Sequence, residues 1–505
     1  MRPTTAARSP RIDFVVVIVA FLVSRLLAWR AGVRLDVGLL QWAWQILDFD
    51  LLRHDLSRSL LYLHAQPPVA NLIIGLGLKA EPFPLVLSIG LLAFTLGLSM
   101  ACALLVTFRR LGVSLLLRTV LVTAYTVSPW SLLYEHFTSY EYIVAACLAG
   151  ALAFLLGFVN TGRWRPLIGA FVLLALVPLT RSLFHVGWLV GVTVIVVLAV
   201  PGRRRRALTV AVPAVLLVVA WYAKNLVLFG TFTASTWLGM NVGFLTTNAL
   251  PPAPREVLIA KGWLSPFARI LPFSPLDVYV PLGAVVPRPL GVPAVDDLQK
   301  KNGMPNFNHA AYINIAQRYA KDAAWVIRHR PRIYLSQVAT ATMIYFLPTA
   351  DFVIFYAAPN SNLAKIEAYR ALFDGIVGGG LFIGSHPMPP MTPWPPRARE
   401  ALWRAPLLPI GLVLVFVTSV VMIVRRMVDP VTGLALVFAC WNVLWVTVIG
   451  CLFEFGENNR FRVGIHPSCL TLIGIVLYRV VRPAPRRPSR NAEAALPVVA
   501  RQAPV

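Results

Sequence analysis

The chain has 505 residues, 58% of them hydrophobic and only 13% charged, with a mean hydropathy of +0.70. That composition excludes a soluble domain and describes an integral membrane protein. A formal net charge of +25 would suggest nucleic acid in a soluble chain, but here the basic residues gather in short runs at the ends of apolar segments and read as topology signals.

In chain order, apolar windows of roughly bilayer-spanning length fall near 13–30, 85–107, 113–130, 141–159, 165–183, 185–200, 207–223, 405–424, 431–450 and 464–481. The N-terminus is basic, yet its apolar stretch runs on to Trp29 with no small-residue cleavage site, so the first span is expected to be a retained anchor. Arg2, Arg8 and Arg11 precede that span, Arg109 and Arg110 follow the second, and Arg163 with Arg165 follow the fourth. Arg203 to Arg206, Arg425, Arg426, Arg482, Arg486, Arg487 and Arg490 complete a set that belongs on the cytoplasmic side. Both termini are then expected inside, in a plasma membrane. Asp13, Asp429 and Glu493 apart, the acids fall in outer segments or at their edges, as do all eight histidines. Cys102, Cys147, Cys440, Cys451 and Cys469 lie within or beside spans without zinc-type spacing, so neither disulfides nor a structural metal is expected.

The resulting organisation is a cytoplasmic N-terminus over 1–12 and a transmembrane module over 13–223 with a long outer loop at 31–84. A large extracytoplasmic region at 224–404, C-terminal spans over 405–482 and a disordered cytoplasmic tail over 483–505 follow. In the first loop, Gln41 to Leu47 and Asp55 to Leu63 have the periodicity of interfacial helices. Segment 67–80 is too short to cross comfortably, and counting it as a span would put Arg109 and Arg110 outside; it reads as a third interfacial or half-inserted helix. An apolar run near 334–357 reads as a re-entrant or surface helix, and two further spans there would preserve parity. The fold class is therefore an all-α polytopic bundle of about 10–12 membrane helices.

Three acidic clusters share the outer side: Asp48, Asp50 and Asp55 with His54 after the first span, Tyr134-Glu135-His136 with Tyr140-Glu141, and Glu454 to Arg462. Charge beside hydrocarbon is costly, so clusters there suggest chemistry. A transporter or flippase of envelope precursors, the alternative function, would put ionisable groups at mid-membrane; those are scarce, with Arg118 the main exception.

The order of these features resembles the GT-C superfamily of membrane glycosyltransferases, which take sugars from polyprenyl-phosphate carriers, as protein O-mannosyltransferases and lipid A aminoarabinose transferases do. Asp48 and Asp50 stand where such enzymes have an acidic first loop. His64-Ala65-Gln66-Pro67-Pro68 stands for their His/Pro-Pro element, and Glu457-Asn458-Asn459-Arg460-Phe461 for a late Glu-x-x-Arg-aromatic element. Two residues separate the His from the Pro-Pro, and Glu135-His136 stands where many relatives have an aspartate. The resemblance implies a GT-C-like bundle and an inverting transfer of a sugar from a polyprenyl phosphate to an extracytoplasmic glycan, lipid or protein acceptor. It leaves open the sugar, the acceptor, a divalent metal and the oligomeric state. No nucleic-acid partner is expected.

Such a transfer needs a base for the acceptor hydroxyl, and Asp48, with Asp50 two residues on, is the expected pair. The plainer alternative is that they solvate the loop or cap the next helix. A leaving phosphate needs guanidinium or ammonium donors, for which Arg460, Arg462, Arg181 and Lys224 are the candidates, with His64 beside them. Tyr134, Glu135, His136, Glu141, Glu457, Asn459 and Trp237 are the candidates for acceptor or sugar contacts.

Overall fold

The computed structural model describes residues 11–137, 139–347, 349, 355, 361–377 and 407–481. Residues 1–10, the segment 378–406 and the expected tail over 483–505 lie outside them. In chain order the helices are α1 (Ile12–Arg30), α2 (Gly38–Trp42), α3 (Phe49–His54), α4 (Leu56–Leu61), α5 (Val69–Lys79), α6 (Leu85–Arg110), α7 (Leu115–Val127), α8 (Pro129–Glu135), α9 (Tyr140–Thr161), α10 (Trp164–Thr180), α11 (Val186–Ala199), α12 (Arg204–Phe229) and α13 (Leu238–Leu245). They continue with α14 (Pro252–Ala260), α15 (Pro293–Asp296), α16 (Ala311–His329), α17 (Pro331–Tyr345), α18 (Asn362–Lys365), α19 (Glu367–Val377), α20 (Leu407–Val424), α21 (Pro430–Phe453) and α22 (Phe461–Val481). Among the described residues the β pairing is one isolated bridge, Gln299 to Pro305.

Each of the ten apolar windows falls on a helix. Among the described residues six helices are long and apolar enough to cross a membrane: Ile12–Arg30, Leu85–Arg110, Tyr140–Thr161, Pro201–Phe229, Pro430–Phe453 and Asn458–Val481. The protein is a polytopic, all-helical membrane protein. Local chemistry sets the helix ends. Gly162 and Gly230 adopt the left-handed conformation that closes α9 and α12 (φ +68° and +70°), while Asp429 caps α21 through the amides of Val431 and Thr432 ahead of Pro430.

α9 is buried on nearly every side and packs against α6, α10 and α22, which makes it the centre of the bundle. Val15, Val19, Leu22 and Leu26 on α1, and Leu208, Val212 and Leu216 on α12, are instead exposed, as lipid-facing residues must be. Arg118, expected near mid-span, belongs to the first turn of α7, where its Nε donates to Asp13 at 2.7 Å and Arg109 pairs with the same carboxylate. One buried carboxylate therefore joins two arginines at one end of the bundle.

The first loop departs from expectation at Gln41 to Leu47. The helix stops at Trp42 and Ala43 is extended. Lys300 Nζ takes the Ala43 carbonyl at 2.7 Å and Asn302 takes that of Gln41 at 2.9 Å, while Trp44 stacks on Phe273 at 5.2 Å. Tertiary partners thus capture the groups a longer helix would have used. Segment 67–80 becomes α5, a short helix packed on α3 and α6. The apolar run near 334–357 begins on α17, whose Tyr334 hydroxyl donates to the Leu452 carbonyl of α21; residues 348, 350–354 and 356–357 of it lie outside the described set.

Leu47, Leu52, Leu56 and Ile74 of the first loop share one apolar core with Trp237, Met240, Phe273, Phe307, Tyr312 and Tyr319 of the second. The two long loops therefore form a single packed cap over one end of the bundle. The main cavity lies between cap and bundle.

Candidate active site

Arg181 follows the last residue of α10 and is buried, a position that strands a guanidinium unless anions meet it. Glu141, in the first turn of α9, meets it through Oε1 in a short ion pair. The same oxygen lies 3.4 Å from Nε of Arg460, whose Nη2 pairs with Glu457 at 2.7 Å and donates to the Tyr140 hydroxyl at 3.2 Å. The Arg181 guanidinium also sits over the rings of Tyr140 and Phe461, 4.8 and 4.4 Å from their centroids. Two guanidiniums from distant parts of the chain are thereby held in one place by a shared carboxylate and shared aromatic faces.

They line a cavity of about 400 Å³. Its walls come from the first loop (Trp42 to Ile46, with Gln66), α5, the start of α9, Arg181 and Ser182, Asn241 and Phe244 of α13, and the segment Glu454 to Arg460. Trp44, Trp237 and Phe273 present aromatic surface to it. Burial raises the Glu454 carboxyl above its ordinary value of 4.5, against the pull of Arg181 and Arg460. Among the described residues no three His, Cys, Asp or Glu side chains gather as a metal-holding group. Glu141 and Glu457 are paired with guanidiniums.

No protein-family model matches the chain, and no curated protein matches it. Two solved structures are similar to it. One is ArnT from Cupriavidus metallidurans bound to undecaprenyl phosphate, at 14% identity over 94% of this chain and 79% of that one, with a TM-score of 0.34. The other is ArnT from the same organism in the apo state, at 13% identity over 92% and 76%, with a TM-score of 0.29. At these values the likeness assigns no role to any residue.

Of the residues singled out from the sequence, the fold brings Arg181, Arg460, Glu141, Glu457 and Trp237 to the main cavity. Asn459 is buried beneath it, its side-chain oxygen accepting the Arg460 amide at 3.1 Å. Asp48 lies elsewhere. It is the N-cap of α3: Oδ1 accepts the Asp50 amide at 2.8 Å and Oδ2 the Lys301 amide at 2.5 Å. Asp50 pairs with Lys301 Nζ at 2.8 Å, which lowers its pKa through that hydrogen bond. Both aspartates border a smaller cavity of about 180 Å³ shared with Lys300, whose ammonium burial pushes down to about 8.

The remaining candidates bind parts of the protein to one another. Glu135 pairs with Arg25 of α1 at 2.6 Å and accepts the Tyr142 hydroxyl at 2.9 Å. His136 Nδ1 lies 2.8 Å from the Leu132 carbonyl, and the Tyr134 hydroxyl donates to the Thr349 carbonyl at 2.9 Å. Arg462 donates to the Leu347 carbonyl beside the Tyr345 ring. Lys224 Nζ donates to the Leu63 carbonyl at 2.5 Å over the Trp221 ring. His64 is fully buried, its Nδ1 2.9 Å from Thr236 Oγ1, and burial lowers its pKa to about 3, so it is neutral. Lys224 thus ties the first loop to α12, and His64 ties it to the segment that follows.

Sequence reasoning named Tyr140 beside Glu141 but left Ser182, Asn241 and Glu454 out of the candidate site, although Glu454 opens the acidic stretch that ends at Arg462. Its signal was a carboxylate one residue past the end of a span. Ser182 and Asn241 carried none, since small polar residues beside a span are common.

Proposed function

We propose that this protein is a polyprenyl-phosphate-dependent glycosyltransferase of the GT-C kind, transferring a sugar to an extracytoplasmic glycan, lipid or protein acceptor with inversion. The observation that carries the reading is the meeting of Arg181 and Arg460 with Glu141, Glu454 and Glu457 in one cavity beside the ends of membrane spans. Guanidiniums suit phosphate oxygens, and pre-positioned ones stabilise charge as it develops on a leaving phosphate. The aromatic surface of Trp44, Trp237 and Phe273 suits a sugar ring. A base of carboxylate type is required for the acceptor hydroxyl, and the same cavity supplies carboxylates.

In this reading the cavity faces outward, with both termini in the cytoplasm and the donor entering from the outer leaflet. The arginine distribution along the spans supports that orientation. Transport is the weaker reading, because the charges on α1, α7 and α8 are locked in ion pairs, Asp13 with Arg118 and Arg25 with Glu135.

The test is binding of undecaprenyl monophosphate to the purified protein in nanodiscs. Wild type is expected to bind, and Arg460→Ala and Arg181→Ala are each expected to weaken binding by about 30-fold or more, the loss typical of truncating a buried charged hydrogen-bonding partner. Absence of binding by the wild type would sink the proposal.

A further inference from the structure

Beyond the main cavity lies a second, of about 350 Å³, walled by Leu183, Leu238, Ile449, Phe453 and Trp445. Three residues border both cavities: Ser182, Asn241 and Glu454. Glu454 stands in extended conformation just past the end of α21, which turns it out of the helix and into this shared wall. A group there meets whatever enters from either side.

Glu454 differs from its neighbours in what it touches. Glu141 is engaged by Arg181 and Arg460, and Glu457 by Arg460. The Glu454 backbone bonds to Gly450 and Asn458, but its carboxylate makes no hydrogen bond or ion pair with a described residue, although it feels the fields of Arg181, Arg460 and Glu457. The other titratable groups facing it are Glu141 and Tyr140 across the main cavity and His185 across the second. Three carboxylates thus face two guanidiniums. With all five ionised the cavity is net negative, which opposes an anionic ligand; with Glu454 protonated it is neutral.

We propose that Glu454 is the group that takes the acceptor's proton, and that it holds this proton while the released polyprenyl phosphate remains bound. The inference rests on the glycosyl-transfer reading. In the step, the bond from the anomeric carbon to the phosphate oxygen breaks and its electron pair stays on the phosphate. The acceptor oxygen bonds to the anomeric carbon, and its proton passes to the Glu454 carboxylate. The donor phosphodiester carries one negative charge and the product monoester two, so neutralising Glu454 keeps the charge of the cavity and its contents constant. A carboxylate with no salt-bridge partner among the described residues can accept the proton without breaking a contact seen there. Glu141 and Glu457 each hold an arginine through one oxygen, so a proton on either would remove the charge that keeps in place a guanidinium the phosphate needs.

This ties product binding to a proton. Binding of undecaprenyl monophosphate to the wild type should take up a proton at neutral and mildly alkaline pH. The phosphate's own second ionisation, near about 6, acts in the opposite sense, because the dianion binds better and forms by proton release. Uptake therefore has to come from the protein.

The experiment is titration calorimetry of undecaprenyl monophosphate into full-length protein in nanodiscs, between pH 5.5 and 8.5, in buffers of different ionisation enthalpy. Glu454→Gln, which mimics the protonated side chain, is expected to abolish the proton uptake and to bind about tenfold more tightly at the alkaline end, the equivalent of one pKa unit of interaction. At the acid end the two proteins should converge. Glu454→Asp should restore uptake. Identical pH dependence and proton balance in wild type and Glu454→Gln would overturn the proposal while leaving the glycosyltransferase reading in place. If Glu454→Gln does not fold, the wild type alone decides, since no net uptake at pH 7.5 to 8.5 would also overturn it. Failure of the wild type to bind at any pH would remove the parent reading instead.

Discussion

At the scale of single residues, an acid beside a membrane span serves different ends according to what its oxygens meet. Asp48 and Glu454 both stand next to apolar segments, and from the sequence alone Asp48 is the more conspicuous because Asp50 and Asp55 accompany it. In the folded chain both Asp48 oxygens accept backbone amides, whereas the Glu454 carboxyl faces two cavities. Asp48→Ala is expected to cost about 1 kcal/mol or more through loss of the cap, while Asp48→Asn keeps one acceptor but turns an NH2 group against the second amide, and should lower the apparent melting temperature in detergent less than Asp48→Ala does. Undecaprenyl monophosphate binding should survive both. Loss of transfer activity in Asp48→Asn while the protein stays folded and still binds undecaprenyl monophosphate would give the acceptor's proton to Asp48 instead.

At the scale of elements, the cavity depends on how closely the cap helices approach. Gly239 of α13 lies against α16 so tightly that a Cβ there would stand 1.8 Å from the Ala316 carbonyl oxygen. That oxygen belongs to the backbone of a 19-residue helix and cannot turn aside. Gly239→Ala must push α13 and α16 apart, at about 1–3 kcal/mol or more. Trp237 and Asn241 flank this glycine on the cavity wall, so the variant should lower the melting temperature and weaken undecaprenyl monophosphate binding together. Unchanged binding in a destabilised Gly239→Ala would separate the α13–α16 contact from the site.

At the scale of the whole molecule, ion pairs between distant segments hold the bundle's charges. Arg25 of α1 is 8% exposed and Glu135 of α8 is 5% exposed, and Tyr142 of α9 donates to the same carboxylate, so one cluster joins three helices. Arg25→Met leaves Glu135 buried without its partner and should cost about 3–5 kcal/mol. Arg25→Met combined with Glu135→Gln should recover more than half of that loss, as a double-mutant cycle of melting transitions would measure. Additive losses would mean that the two side chains act independently.

Class and chain course are legible in the amino-acid sequence alone. Hydrocarbon imposes a length and an apolar content on every span, and those constraints are local, so each predicted window could be matched to a helix from α1 to α22. The same locality made Arg181, Arg460, Glu141 and Glu457 legible, because each is a charge at the end of an apolar run. Which charges meet was not legible. Arg181 lies 40 residues from Glu141, and Arg460 is 320 from Tyr140; only the packing of α9, α10 and α22 with the cap brings them together. Tertiary structure likewise turned Glu135 into the partner of Arg25, cut the helix at Trp42 and set Glu454 in the wall between two cavities. The reason is the same in each case. A buried polar group must find a partner wherever the fold offers one, and that choice depends on the whole chain.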